Sequence, residues 1–456
     1  MKMSSSTSVI HNQSGFTRRD FLKASALAAL GLAGSSVLSS CNSGGPSGNL
    51  TYLSGDTSDA EQEVYQSWIS SFKEANSGVE ITGEHLSYGT DFLTKLDALV
   101  AAGTPPDFVP RWFSDEALSF WDKGELKPVN NLMEKLGMDG WDESSLRKFR
   151  IGDDYIGVPY TVSAFPFFWR KDLIDKHGLQ IPETWNDLIA AAQALTEDTD
   201  GNGEVDIYGT VVPYGRNSQT SYLFWMMIWT NGGYVVDQDL NVSLNSPQVV
   251  ETLDFLKELA QYSPPGSAEY SWGENVGAFV SGLSASVLYQ GRVFTNIANE
   301  NPDLADKITV GPIPYGKEPA TLGLWAGSSI FSGSDNVESA EAFIEHIHKP
   351  AEYVKWLAIL PGHYWASRLT MLDQPEFAEL PLVQKYQNEI KRIASYTDGA
   401  RSFSQESPDH KINPYSTAIL GSNVLADMVQ MVLIQGDSAQ KAAEWGATQV
   451  KDLMTS

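Results

Sequence analysis

Cysteine is nearly missing from this chain: Cys41 is the single one in 456 residues, so no intrachain disulfide can form. Positive charge is also scarce. Lys and Arg number 31 against 57 Asp and Glu, for a formal net charge of −26. Lys2, Arg18, Arg19 and Lys23 stand against Asp20 in the first forty residues, so the remainder is more acidic still. Such a surface repels phosphate backbones and anionic headgroups, which argues against nucleic acid as a partner and otherwise serves solubility. Beyond residue 40 no hydrophobic run approaches the length of a membrane span. Enzyme signatures are wanting too. There is no His-Glu-x-x-His, no Gly-x-Ser-x-Gly and no phosphate-cradling Walker loop. His346 and His348 sit two apart on a predicted helix and face apart, which argues against a shared metal. The 57 acidic residues leave a glycosidase-type carboxylate pair open, but no pattern points at one.

What is present begins with an address. Thr17-Arg18-Arg19-Asp20-Phe21-Leu22-Lys23 matches the twin-arginine export signal, in which a receptor reads the paired guanidinium groups. Ala24 to Leu38 follows as an Ala/Gly-rich apolar run. As a helix it would rise about 22 Å, short of the ~30 Å hydrocarbon core, so it reads as the core of a signal peptide. Leu38-Ser39-Ser40-Cys41 then resembles a lipobox, where the Cys41 thiolate would accept diacylglycerol. The competing reading is an ordinary small-residue cleavage site with Cys41 incidental. Residues 1–40 are thus expected to form a signal peptide and 41–49 a flexible tether. The expected location is the outer face of the cell membrane, with a lipid anchor.

From Leu50 onward strand and helix signals alternate. Leu50–Ser54, Val79–Thr82 and Pro106–Val109 read as strands. Ala60–Asn76 carries an apolar stripe of Val64, Tyr65, Trp68, Ile69 and Phe72, and Asp91–Ala102 is the next helix. This βαβαβ pattern predicts an α/β fold with a parallel sheet, whose ligands sit beyond the carboxyl ends of the strands. Gly55-Asp56-Thr57 and Arg111-Trp112-Phe113 fall there. Thr184 is placed to cap a helix from Trp185, and Ser246-Pro247 opens another.

A series of short segments, in order, carries a resemblance. Phe72-Lys73-Glu74-Ala75-Asn76, Gly124-Glu125-Leu126-Lys127-Pro128, Gly157-Val158-Pro159, Phe168-Trp169-Arg170-Lys171-Asp172-Leu173 and Pro182-Glu183-Thr184-Trp185-Asn186-Asp187-Leu188 are among them. Gly232-Gly233, Ala278-Phe279-Val280-Ser281-Gly282 and Glu338-Ser339-Ala340-Glu341-Ala342-Phe343 follow. From about Leu50 to its end the chain resembles the family 1 extracellular solute-binding proteins, whose best-known members bind maltodextrins.

The resemblance implies the two-lobed periplasmic-binding-protein fold, type II-like, with ligand in the cleft between lobes and a closing hinge. Residues 50–161 and 326–362 would form the first lobe and 163–324 and 363–456 the second. Thr161-Val162-Ser163 and Leu324-Trp325-Ala326 would be the crossings. It implies a monomer that hands a saccharide to the permease subunits of an ABC importer and needs no cofactor. Carried over position by position, Asp56 matches a carboxylate that holds sugar hydroxyls, and Trp112 or its neighbour Arg111 matches a stacking tryptophan. Ser163 stands where maltodextrin binders carry Glu, Tyr222 on an aromatic contact, and Arg292 beside Val293, which replaces another stacking Trp. Asn413 and Tyr415 fall near a segment that lines the cleft, and Trp325 at its floor. These departures argue against maltose itself. A non-sugar solute such as a polyamine, glycerol phosphodiester or ferric ion stays open, a polyamine because of an acidic rim; a secreted glycoside-acting enzyme is less favoured.

Finally, Asp198, Asp200, Asn202, Glu204 and Asp206 follow the alternate spacing of an EF-hand loop, with Gly203 at the sharp turn and Val205 as apolar anchor. The closing Glu is replaced by Gly209. A structural Ca²⁺ ion is one reading and an Asx-rich turn the other.

Overall fold

The computed structural model describes residues 46–455 apart from 89, 398 and 408. The twin-arginine segment, the lipobox and Cys41 lie outside the described residues. Among the described residues no helix is long and apolar enough to cross a membrane. The first strand already begins at Gly48, so the chain takes up regular structure slightly before the expected end of the tether.

Twelve strands follow in chain order. They are β1 (Gly48–Ser54), β2 (Val79–His85), β3 (Phe108–Phe113), β4 (Leu126–Lys127), β5 (Arg150–Ile151), β6 (Asp154–Tyr155), β7 (Val158–Ala164), β8 (Phe167–Arg170), β9 (Ser286–Leu288), β10 (Ile308–Gly311), β11 (Gly323–Phe331) and β12 (Trp365–Ala366). Seven build one sheet in the order β12-β7-β11-β3-β1-β2, with β4 also on β11. Within it β1 runs parallel to β2 and β3, and β11 antiparallel to β3 and β7. A second sheet is three-stranded, β10-β8-β9, and β5 pairs with β6 as a separate hairpin.

The helices form where the sequence caps them. Helix Asp59–Ala75 starts at a reciprocal box between Ser58 and Glu61, and helix Trp185–Ala194 at one between Thr184 and Asp187. Pro247 opens helix Pro247–Leu259 from its first position. Helix Asp59–Ala75 buries Tyr65, Trp68 and Phe72 on one stripe, against Trp356 and Phe343.

The buried apolar residues fall into two clusters, and β8 stands between them. Phe168 packs on Phe279 and Phe294 in the cluster that also holds β1, β3 and β11. Phe167 and Trp169, pointing the other way, join the cluster built on helix Ser218–Thr230 and the helices near the C-terminus. Helix Ser218–Thr230 is buried nearly all round, so it lies inside its lobe.

The chain leaves the large sheet after Ala164, through Phe165 and Pro166, and returns at Gly323. The crossings therefore lie a few residues beyond 161–163 and before 324–326. Trp365–Ala366, which a boundary at 362 would give to the second lobe, pair with β7 in the large sheet. A tight turn at Gly362, with φ of +84°, brings β12 back to it.

Candidate ligand-binding site

The carboxyl ends of β1, β3 and β7 lie along one edge of the large sheet, where an α/β sheet presents its ligands. A cavity of about 260 Å³ opens there, lined by residues of the large sheet and by residues outside it. Phe113, Ser163, Leu324, His363 and Tyr364 come from the large sheet or the turns beside it. Tyr222, Trp272, Tyr289, Gln290 and Arg292 come from the chain between β8 and β10.

Five of these ten are Phe, Tyr or Trp, and three of them, Tyr222, Trp272 and Tyr289, hold one another. Tyr222 meets Trp272 edge to face at 5.6 Å and Phe403 at 4.6 Å. Trp272 meets Tyr289 at 5.8 Å, and the Tyr289 hydroxyl donates to the Trp272 carbonyl at 3.1 Å. Trp272 Nε1 donates to Ser218 Oγ at 3.1 Å, which fixes the indole at the start of its helix. That helix, Trp272–Val280, begins at a box between Ser271 and Glu274.

Polar groups stand among the rings. Ser163 is buried in β7 and pairs with Leu324 of β11, so both side chains face the cavity. Arg292 opens helix Arg292–Glu300 and is exposed. His363 is 6% exposed, and its Nδ1 has no hydrogen-bond partner. Burial holds its imidazole neutral, and the nearby Arg292 and Arg111 guanidinium groups push the same way. No carboxylate is among the lining residues. The acidic rim that would favour a polyamine is therefore not what the cavity presents.

Asp56 and Arg111 lie behind this wall rather than on it. Asp56 Oδ1 accepts from Arg111 Nη2 at 2.6 Å, and both residues are buried. Asp56 Oδ2 also accepts from the Tyr65 and Ser54 hydroxyls at 2.9 and 3.2 Å. The Arg111 guanidinium lies between the rings of Trp356 and Tyr364, 4.7 and 4.9 Å from their centroids. Asp56 spends its oxygens on protein partners, and Arg111 buttresses Tyr364.

Trp112 and Trp325 are corrected more sharply. Successive strand residues face opposite sides, so Arg111 and Phe113 turn toward the cleft and Trp112 away from it. Trp112 is 1% exposed, donates to Ser329 Oγ at 3.0 Å, and packs on Phe120 and Phe331. The same alternation gives Leu324 to the cavity and Trp325 to the other face. There Trp325 Nε1 donates to Ser144 Oγ at 3.0 Å, with the Lys148 ammonium 5.1 Å from its ring.

Lys148, with Asp115, Arg147, Arg150 and Arg401, helps line a larger cavity of about 450 Å³ on that side. Its size does not make it the site. It holds no aromatic ring, and it shares no lining residue with the cavity at Ser163 and Leu324. Asn413 is buried, its Oδ1 accepting from the Tyr415 backbone at 2.9 Å, and the 36%-exposed Tyr415 lines neither cavity. Of the sequence candidates, Ser163, Tyr222 and Arg292 come together on the cavity. Phe113, Trp272, Tyr289, Gln290, His363 and Tyr364 were missed. Trp272 alone left a local trace, the capping box of the helix it opens.

In the acidic loop, ligand oxygens of Asp198, Asp200 and Asp206 lie within 4.8 Å of one another. Asn202 and Glu204 contribute to the turn instead, the Glu204 backbone donating to Asn202 Oδ1 at 2.7 Å. Asp198 accepts from the backbones of Gly201, Asn202 and Gly203 at 2.7, 3.2 and 2.8 Å. The bond from Gly203 is the first cause holding the Asp198 carboxyl below its usual range.

Known proteins share this architecture. YcjN of Escherichia coli K12, provisionally named an ABC transporter periplasmic-binding protein, is 23% identical over 325 residues, covering 69% of this chain and 72% of that protein. The arabinooligosaccharide-binding protein of Halalkalibacterium halodurans is 27% identical over 273 residues, covering 56% of this chain and 57% of that one. A solute-binding protein from Thermotoga lettingae, solved with α-D-tagatose, superposes with a TM-score of 0.68 at 23% identity, covering 89% of this chain and 100% of that one. That superposition establishes the two-lobed solute-binding-protein fold. The profile of the bacterial extracellular solute-binding proteins matches residues 54–353, well over half of the chain, and the protein belongs to that family.

Proposed function

We propose that this protein captures a saccharide in the aromatic cavity at the edge of its large sheet and passes it unaltered to the permease of an ABC importer. The observation that carries the reading is the lining itself: Phe113, Tyr222, Trp272, Tyr289 and Tyr364 set around Ser163, Gln290, Arg292 and His363. Sugar faces are rich in C–H and pack on aromatic rings, while their hydroxyls need hydrogen-bonding side chains between those rings. The volume, near the ~300 Å³ lower end for ligand pockets, suits a monosaccharide or the terminal unit of an oligosaccharide. The tagatose-bound and arabinooligosaccharide-binding relatives support the same ligand class. The closing lobes would work on two strands, β7 and β11, that share the large sheet and end at the cavity.

The reading includes export by the twin-arginine signal, lipid attachment at Cys41 and a monomeric state. It also gives loop 198–206 a structural Ca²⁺ ion, supported by its three clustered carboxylates.

A thermal-shift panel of saccharides, polyamines, glycerol phosphodiesters and ferric ion tests the central part. A saccharide should raise the melting temperature by mass action and be recovered intact. Stabilisation by a non-sugar class alone, or hydrolysis products that grow with protein concentration, would overturn it. Replacing Cys41 with Ser should release the protein from the membrane fraction; unchanged retention would refute the anchor.

A further inference from the structure

Resting on the saccharide reading above, we infer that the preferred ligand is an acidic sugar, a hexuronate residue whose carboxylate is bound by Arg292 beside His363. The argument is one of unspent groups. Arg292 is exposed on the cavity wall, and among the described residues no carboxylate reaches it as an ion-pair partner. This happens in a chain with 57 acidic residues, where other buried or half-buried arginines are engaged. Arg111 is tied to Asp56 and Arg170 to Asp172, at 2.6 and 2.7 Å.

His363 supplies the second, independent observation. Its ring is nine-tenths buried and lines the same cavity, so it presents a polar edge to the ligand beside Arg292. A neutral imidazole can present one N–H, and Arg292 presents up to five, so the wall is rich in donors. A wall built for neutral sugars needs acceptors as well, to take up hydroxyl protons, and carboxylates are the strong ones. None lines this cavity, because Asp56 is turned to Arg111. Donors without counter-charge match a ligand that brings its own negative charge. One planar guanidinium matches one carboxylate.

Calorimetric titration of the purified protein with D-galacturonate, D-glucuronate and digalacturonate, beside D-galactose, D-glucose, cellobiose and glucose 6-phosphate, tests the inference. At least one uronate should bind about 10- to 100-fold more tightly than its neutral counterpart. Arg292→Gln should remove that preference with the melting temperature of the free protein unchanged, and Arg292→Lys should keep part of it. A neutral sugar bound as tightly as every uronate would overturn the acidic ligand and leave the saccharide reading standing. So would a preference that survives Arg292→Gln, or selection of glucose 6-phosphate over all uronates. Binding of no saccharide at all would sink both.

Discussion

Asp56 and Arg111, 55 residues apart in sequence, meet as a buried pair, Oδ1 to Nη2 at 2.6 Å, with the guanidinium held between Trp356 and Tyr364. The pair supports the cavity wall without facing the ligand. Removing one partner leaves the other charge buried and uncompensated. Asp56→Asn should therefore lower stability by about 3–5 kcal/mol in chemical denaturation. Unchanged stability with lost binding would move Asp56 onto the ligand.

Trp325 yields the opposite outcome from a cleft-floor residue. Its indole is 1% exposed, bonded to Ser144 and faced away from the cavity. Trp325→Ala should cost about 3–5 kcal/mol of stability, as large-to-small core changes do. The folded fraction should still bind with near wild-type affinity. A stable variant with weakened binding would restore a ligand-facing role.

Acid should destabilise the protein in part through His348. Burial against Trp141, Tyr160 and Tyr353 lowers its pKa from 6.5 to about 4, although the carbonyls of Ile344 and Pro159 pull upward. The folded pKa lies below the unfolded one, so its contribution is full above about pH 6.5 and is lost as pH falls toward 4. The loss is about 3 kcal/mol over that span. Denaturation between pH 7 and 4 should show this slope, and His348→Gln should flatten it. An identical slope in the variant would assign the acid sensitivity elsewhere.

Calcium should raise the melting temperature of the wild type, and chelation should lower it. Asp198→Ala with Asp200→Ala should abolish the difference. A melting curve indifferent to both calcium and chelator would make residues 198–206 an Asx turn held by Asp198 and the backbones of Gly201 and Gly203.

The local grammar of the chain was legible. Thr184 starts its helix because it caps the backbone N–H of Asp187, and Pro247 because its fixed φ suits the first helical position. Trp225 and Trp229 could be read as core from their all-apolar flanks. In the structure both donate to buried Glu406, at 2.8 and 2.7 Å, a partner some 180 residues away that spacing cannot reveal. The site was half legible for the same reason. Tyr222 and Arg292, named by resemblance, line the cavity, whereas Trp112 and Trp325 stand one residue out of phase with it on their strands. A one-residue step reverses the face, so Leu324 and Phe113 reach the cavity and the tryptophans enter the core. Trp272, Tyr289 and Tyr364 converge from three separate segments, and only tertiary packing brings them together.

The account stands or falls on the aromatic cavity, and the most direct measurement is saccharide affinity by calorimetry for Tyr222→Ala and Trp272→Ala, with melting curves to confirm folding. Losing a ring face worth about 1–3 kcal/mol should weaken binding roughly 5- to 150-fold in each variant. Wild-type affinity in both folded variants would show that saccharide binds elsewhere and contradict the assignment.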